Sequence, residues 1–384
     1  MTVTETSKQT LSFRELEVGD PAPWFIQRTG SHPNFNFSNM GGFYVLLAFF
    51  VSAGDQAGQA ALRFVEARRQ QFDDKKLLFF GVSLDQRDES QGRVKDQIPG
   101  IRFFWDFDGS ASREYGAIPL DAKLGQGQVP IARKWVLLDP MLRVRAVVPF
   151  QENGAEQAEL GRLLDALPPL EEDAGVALQA PVLMLPRVFE PELCQELVAL
   201  YEEHGGEESG FMREVDGKTV KLHDHSIKRR SDYLIEDEAL RRRLNERIHR
   251  RLVTPIERAF QFKASRMERY NIACYESTSR GHFMPHRDNT TKGTAHRRFA
   301  VSVNLNDDFE GGELRFREFG PRWYRPPAGG ALVFSCSILH EVAPMRRGKR
   351  YVFLPFLYDD AAAEIREANN KHLDESLTAY KKSD

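Results

Sequence analysis

From Phe299 to Tyr358 the chain advances in short runs, each cut by glycine or proline. Ala300, Ser302 and Asn304 alternate with Val301, Val303 and Leu305, the period of a half-buried strand. Gly311-Gly312 marks a turn, Glu313 to Arg317 alternate again, and Pro326-Pro327-Ala328-Gly329-Gly330 marks a second turn. "ALVFSCSILHEV" and "GKRYVFLPFLY" then read as two more strands. Short strands punctuated in this way predict a jelly roll, whose interior can hold a small site.

The residues delivered to that interior carry chemistry. His286-Arg287-Asp288 precedes these strands, His340 ends one of them, and Arg350 starts the next. His286 and Asp288 share parity, so on a strand both side chains face one side. Two imidazoles and one carboxylate suit a ferrous ion bound on one face, with positions left open. An arginine shortly after the second histidine suits a carboxylate, which its planar fork can grip through two hydrogen bonds. His223-Asp224-His225 is a second compact cluster, but it precedes the charged run Lys228-Arg229-Arg230-Ser231-Asp232 and reads as solvated surface. His282 and His296 flank the main motif and read as neighbours, not ligands.

"ACYESTSRGHFMPHRDN", "NLNDDFEGGELRF" and "LHEVAPMRRGKRYVF" occur in this order. The region 180–360 resembles the double-stranded β-helix of the Fe(II)- and 2-oxoglutarate-dependent dioxygenases, in the prolyl 4-hydroxylase branch. The resemblance implies iron ligation by His286, Asp288 and His340. It also implies that Arg350, ten positions after His340, binds the distal carboxylate of 2-oxoglutarate with help from Tyr275. The family departs from this chain at two places: some members carry a second tyrosine where Asn304 stands, and a threonine where Leu354 stands. The implied reaction consumes O2 and 2-oxoglutarate, releases succinate and carbon dioxide, and hydroxylates an unactivated C–H bond; ascorbate is a further cofactor candidate. Related halogenases replace the carboxylate ligand by a small residue, so Asp288 points to hydroxylation.

The first half has another rhythm. "FYVLLAFFV" and "KLLFFGVSL" are continuous apolar strands, Ala57 to Phe72 reads as a helix, "ASREYGA" as a short helix, and "ARKWVLLDPMLRVRAVVPF" as two strands around a turn. Buried strands alternating with helices indicate an α/β layer. "VGDPAPWF", "GGFYVLLAFF", "LFFGVSLD", "FFWDFDGSASREYGA" and "ARKWVLLDP" together resemble the peroxiredoxins of the thioredoxin fold. In that family a reactive cysteine opens the helix after the first long strand, preceded by a threonine. Here those positions fall near Gly58 and Asp55, and this half holds no cysteine. A thiol peroxidase needs a thiolate, so peroxidase activity is expected to be absent. Arg133 matches an arginine that supports the family's cysteine, and is expected to be structural here.

At 384 residues the chain suggests two domains. "LPPLEEDAGVALQAP" breaks both patterns, so residues 12–168 are expected to form the thioredoxin-like domain and 180–384 the dioxygenase domain. "FEPELCQELVALYEEHG" and "EDEALRRRLNERIHRRLVTPIERAF", the latter bent by Pro255, are helices expected to buttress the β-helix. "DDAAAEIREANNKHLDESLTAYKK" reads as a surface helix. A net charge of −3 gives no reason to expect nucleic acid or an anionic membrane as partner. Three scattered cysteines, Cys194, Cys274 and Cys336, give no disulfide framework, and the polar start lacks a signal-peptide core, so a cytoplasmic location is expected. The extra domain offers a docking surface, which favours a prolyl, peptidyl or amino-acid-like substrate over other small molecules, and homodimerisation through it is a further expectation. Groups that shape the substrate site are sought in Lys221–Asp232 and at Arg298 and Arg315. The competing reading is an iron- and 2-oxoglutarate-binding sensor or scaffold with slow or no turnover.

Overall fold

A computed structural model describes residues 12–125 and 128–382; the polar start of the chain up to residue 11 lies outside the described residues. The chain divides into two compact units. The first runs to Gln179 and takes in Arg317–Gly320, and the second takes the remainder from Ala180.

In the first unit Tyr44–Val51 is the central strand of a five-stranded sheet. Its neighbours on one side are Leu77–Ser83 and then Ile101–Trp105, both parallel. On the other side lies Lys134–Leu138, antiparallel to it, and then Val144–Pro149, antiparallel to Lys134–Leu138. The central strand is apolar throughout because it is buried on both faces. Tyr44, Leu46, Ala48 and Phe50 enter one core, while Val45, Leu47 and Phe49 enter the other. The helix after it, Gln56–Ala67, is capped by Asp55, whose carboxylate accepts from the Gly58 N–H, and it buries Ala61 and Val65. The strand Ile101–Trp105 and the helix Glu156–Asp165 were not among the elements read from sequence.

Among the described residues the second unit holds antiparallel sheets of nine and five strands and the hairpin of Phe211–Val215 with Lys218–Leu222. In the larger, Arg266–Glu268, Phe356–Tyr358, Phe299–Asn304, Lys349–Phe353 and Asn271–Glu276 are successive neighbours. In the smaller, His282–His286 pairs with His340–Val342, which pairs with Leu314–Arg315. One face of the large sheet supplies Ile272, Cys274, Val301, Val303 and Phe353 to a core. Helices Pro191–His204, Glu238–Ile248 and Thr254–Phe260 cover it with Leu193, Leu197, Leu244 and Ile256. Each such side chain contributes roughly 1.5–3 kcal/mol when fully buried.

Two expectations need correction. Phe299–Asn304 is not half-buried: all six of its residues are buried. Its apolar face meets the helical core, and its polar face, Ser302 and Asn304, meets the Arg350 guanidinium. The second is the helical irregularity expected at Pro255. It is a π-helical turn at His249–Val253, ahead of the proline, which sits in the first turn of the next helix where its missing N–H is harmless. Among the described residues no helix is long and apolar enough to cross a membrane.

Candidate metal and carboxylate site

His286 is the last residue of its strand and His340 the first of its own, and the register pairs them directly across the small sheet. Asp288 lies two residues past the strand's end, where its backbone N–H donates to the Cys336 carbonyl at 2.9 Å. Shared strand parity therefore does not place Asp288; a backbone anchor beyond the strand does. His286, Asp288 and His340 offer ligand atoms that all lie within 4.8 Å of one another. His286 Nε2 is 3.6 Å from Asp288 Oδ1, and His340 Nε2 is 3.4 Å from Asp288 Oδ2.

Both rings are oriented by the main chain. His286 Nδ1 lies 2.8 Å from the Met284 carbonyl, and His340 Nδ1 lies 3.0 Å from the Ile338 carbonyl. A carbonyl only accepts, so each Nδ1 carries a proton and each Nε2 is turned to the carboxylate side. This is the arrangement by which second-shell carbonyls fix a ligating imidazole. Phe283 stacks on His286 with ring centroids 3.5 Å apart, and Phe334 packs edge-on against His340 at 4.6 Å. Burial and the neighbouring His286 push His340 down to about 4, so at neutral pH it is an uncharged donor. Burial works to raise the Asp288 carboxyl, but His340 and His286 when protonated, with Arg297 beside them, outweigh it and hold the group well below the usual carboxylate range. Two imidazole nitrogens and one carboxylate are the donor set a divalent transition metal takes.

Beside the triad a cavity of about 60 Å³ opens between the two sheets, lined by His286, Asp288, His340, Tyr275, Ser302 and Arg350 among others. Arg350 is only 2% exposed. Its Nε donates to Asn304 Oδ1 at 3.0 Å, and its Nη2 donates to Ser302 Oγ at 2.8 Å and Asn304 Oδ1 at 3.0 Å. The register sets Tyr275 directly opposite Arg350, with the guanidinium 5.6 Å from the tyrosine ring centre. Burial pushes Arg350 down to about 10, Tyr275 acting against this and Arg230 with it. The guanidinium thus stays charged, its Nη1 without a partner among the described residues, in a cavity walled by Phe334, Val342 and Leu354. A carboxylate fits that place.

Behind the triad sits a buried ionic hub that sequence reasoning missed. Glu268 pairs with Arg297 at 2.7 Å and Arg366 at 2.7 Å. His296 Nε2 lies 3.2 Å from the same carboxylate. Arg297 also donates to the Asp288 carbonyl at 3.3 Å. Lys228, Arg230 and Arg269 line the cavity as well. The first two fall in the segment singled out from sequence; Arg269 does not. Arg298 and Arg315 are not among the lining residues: Arg298 donates to the Ala295 carbonyl, and Arg315 lies over Trp323. His223, Asp224 and His225 are exposed, and His225 pairs with Glu208.

In the first unit, Arg133 donates to the Phe50 carbonyl at 3.0 Å and pairs with Asp55 at 2.6 Å. A side chain at Gly58 would begin 1.9 Å from the Ser52 carbonyl oxygen, so the helix start admits only glycine there.

Comparison with known proteins places these residues in a family context. Residues 270–358 match the family model of the 2OG-Fe(II) oxygenase superfamily. A PKHD-type hydroxylase of Synechococcus sp. is 31% identical over 87 residues, covering 21% of this chain and 38% of the relative. Another of that description, from Pseudomonas fluorescens, is 38% identical over 89 residues, with the same coverage of 21% and 38%. The chain thus spans little more than a third of the length of the curated relatives it matches. Among solved structures, a prolyl-4-hydroxylase of Pseudomonas putida is 18% identical, with 47% of this chain and 93% of that chain covered and a TM-score of 0.36. Peroxidoxin BcpB of Mycobacterium tuberculosis is 17% identical, with 40% and 100% covered and a TM-score of 0.34.

Proposed function

We propose that the second unit is a double-stranded β-helix with buttressing helices, residues 180–384, and that it is an Fe(II)- and 2-oxoglutarate-dependent hydroxylase. His286, Asp288 and His340 hold the iron, and Arg350 with Tyr275 holds the distal carboxylate of 2-oxoglutarate. The observation that carries this reading is the convergence of two main-chain-oriented Nε2 atoms and one carboxylate beside a buried, charged Arg350. Bound iron would supply oxygen activation, coupling conversion of 2-oxoglutarate to succinate and carbon dioxide to hydroxylation of a C–H bond. The chain's part is placement. Met284 and Ile338 carbonyls aim the imidazoles, Ser302 and Asn304 fix the Arg350 fork, and Phe283, Phe334 and Phe356 wall the cavity against water.

The substrate is proposed as prolyl, peptidyl or amino-acid-like, in line with the PKHD-type hydroxylase relatives. The first unit, residues 12–168, is proposed as a thioredoxin-fold domain without peroxidase activity, because Asp55 occupies Arg133 and Gly58 leaves no room for a thiol. The test is oxygen-dependent succinate formation by the full chain with Fe(II) and 2-oxoglutarate, screened for a substrate that gains one oxygen by mass. Succinate stimulated by such a substrate supports the hydroxylase. Metal and 2-oxoglutarate uptake with no stimulated succinate across peptides and metabolites would turn the reading to a sensor.

A further inference from the structure

We infer that the substrate of this site carries a carboxylate, held by Arg269 with Lys228 beside it. The inference rests on the reading above, in which Arg350 serves 2-oxoglutarate. Four basic side chains line the cavity: Lys228, Arg230, Arg269 and Arg350. Three are engaged within the chain. Arg350 is held by Ser302 and Asn304. Arg230 forms a two-pronged pair with Asp232, at 2.7 Å through Nε and 2.7 Å through Nη2. Lys228 Nζ donates to Ser209 Oγ at 2.8 Å and the Gly210 carbonyl at 2.7 Å.

Arg269 differs. It makes no side-chain hydrogen bond and no ion pair to any described residue, and its guanidinium lies 5.5 Å over the Phe356 ring. The nearby carboxylates are taken: Glu268 by Arg297 and Arg366, and Asp232 by Arg230. Arg269 stands in the turn between the strands Arg266–Glu268 and Asn271–Glu276 with φ of +64°, a conformation that a side chain disfavours. Such strain persists where the surroundings over-determine it, often at a ligand clamp.

The charge balance points the same way. Among the lining residues four bases face one carboxylate, Asp288; of the carboxylates behind them, Asp232 is paired with Arg230 and Glu268 with Arg297 and Arg366. A ferrous ion and 2-oxoglutarate are divalent and opposite, so together they leave that positive excess in place. Burial and Arg230 push Lys228 well down, and burial and Arg297 push Arg269 down to about 10; a bound anion relieves both. A guanidinium takes a carboxylate through its fork and an ammonium adds a point charge. Phe283, Phe334, Val342 and Phe356 keep the surroundings apolar, which strengthens the attraction. The fitting ligand has an apolar body and one carboxylate, from a chain terminus or an acidic side chain.

Calorimetry on the full chain, loaded with Zn(II) and saturating 2-oxoglutarate, tests this without turnover. One arm titrates N-acetyl amino acids against their amides; the other titrates capped peptides centred on Asp or Glu against Asn or Gln. The expected result is an acid that binds at least ~10-fold tighter than its amide, as a charged hydrogen bond implies. Arg269→Gln should erase that preference and Arg269→Lys keep part of it, both still taking up 2-oxoglutarate. The arm that responds identifies the source of the carboxylate. No acid preferred over its amide, or a preference that survives Arg269→Gln, overturns the inference, and so does loss of 2-oxoglutarate binding in Arg269→Gln. Failure of the unaltered chain to take up 2-oxoglutarate would overturn the hydroxylase reading first, and this inference with it.

Discussion

Arg350 shows how one side chain is made fit for a carboxylate. Its fork is held from behind by Ser302 and Asn304, so little orientation entropy remains to be lost on binding. Arg350→Gln should weaken 2-oxoglutarate by ~10- to 100-fold, the size of a lost charged hydrogen bond, with metal uptake kept; dialysis of labelled 2-oxoglutarate checks this. Arg350→Lys should recover only part, since an ammonium cannot match both Ser302 and Asn304. Asp288→Gly should abolish hydroxylation, read by the absence of a product one oxygen heavier. His286, Asp288, His340 and Arg350 stand out in the sequence as candidates because the chemistry admits few residue types, and the structure brings the first three within 4.8 Å of one another. Ser302 and Asn304 were legible only as an alternating polar face. Their orientation toward a buried guanidinium depends on Lys349–Phe353 lying beside them, a pairing that no local pattern announces. Arg269 left no sequence signal at all, because a single basic residue before a strand is ordinary surface until the turn folds it inward.

At the scale of elements, the Glu268 hub joins the strand Arg266–Glu268, the loop after Asp288 and the C-terminal helix Asp360–Ala368 through Arg297, His296 and Arg366. Burial works to raise the Glu268 carboxyl, but Arg297, His296 and Arg366 more than offset it and hold the group well below the usual range. Its folded value is below its unfolded one, so its contribution is complete above about pH 4.3 and is lost as pH falls toward the folded value. Glu268→Gln should cost ~3–5 kcal/mol by leaving buried cations unpaired, and acid should then destabilise the variant less steeply than the parent. Denaturant melts at pH 7 and pH 4 measure both effects. Elements with long apolar runs were readable from sequence, as in Tyr44–Val51. Ile101–Trp105 was not, because its five residues are too few to display a period.

The whole molecule joins a unit without cysteine to a unit that brings two histidines and an aspartate together. Each has its own hydrophobic core. Heating should give two transitions, and Zn(II) with 2-oxoglutarate should raise only that of the second unit, by about 2.7 kcal/mol at a hundredfold excess over Kd. Scanning calorimetry separates them. The first unit should consume peroxide no faster than buffer, and Gly58→Cys should not rescue it, because the Ser52 carbonyl occupies the required space. The central claim is that three side chains make one iron site next to a 2-oxoglutarate clamp. Anaerobic titration of the full chain with Fe(II) and 2-oxoglutarate addresses it most directly. The account predicts a weak visible charge-transfer band that saturates at one iron per chain, is absent in His286→Ala, and needs far more 2-oxoglutarate in Arg350→Gln. No band and no iron uptake by the unaltered chain, or an undiminished band in His286→Ala, would contradict it.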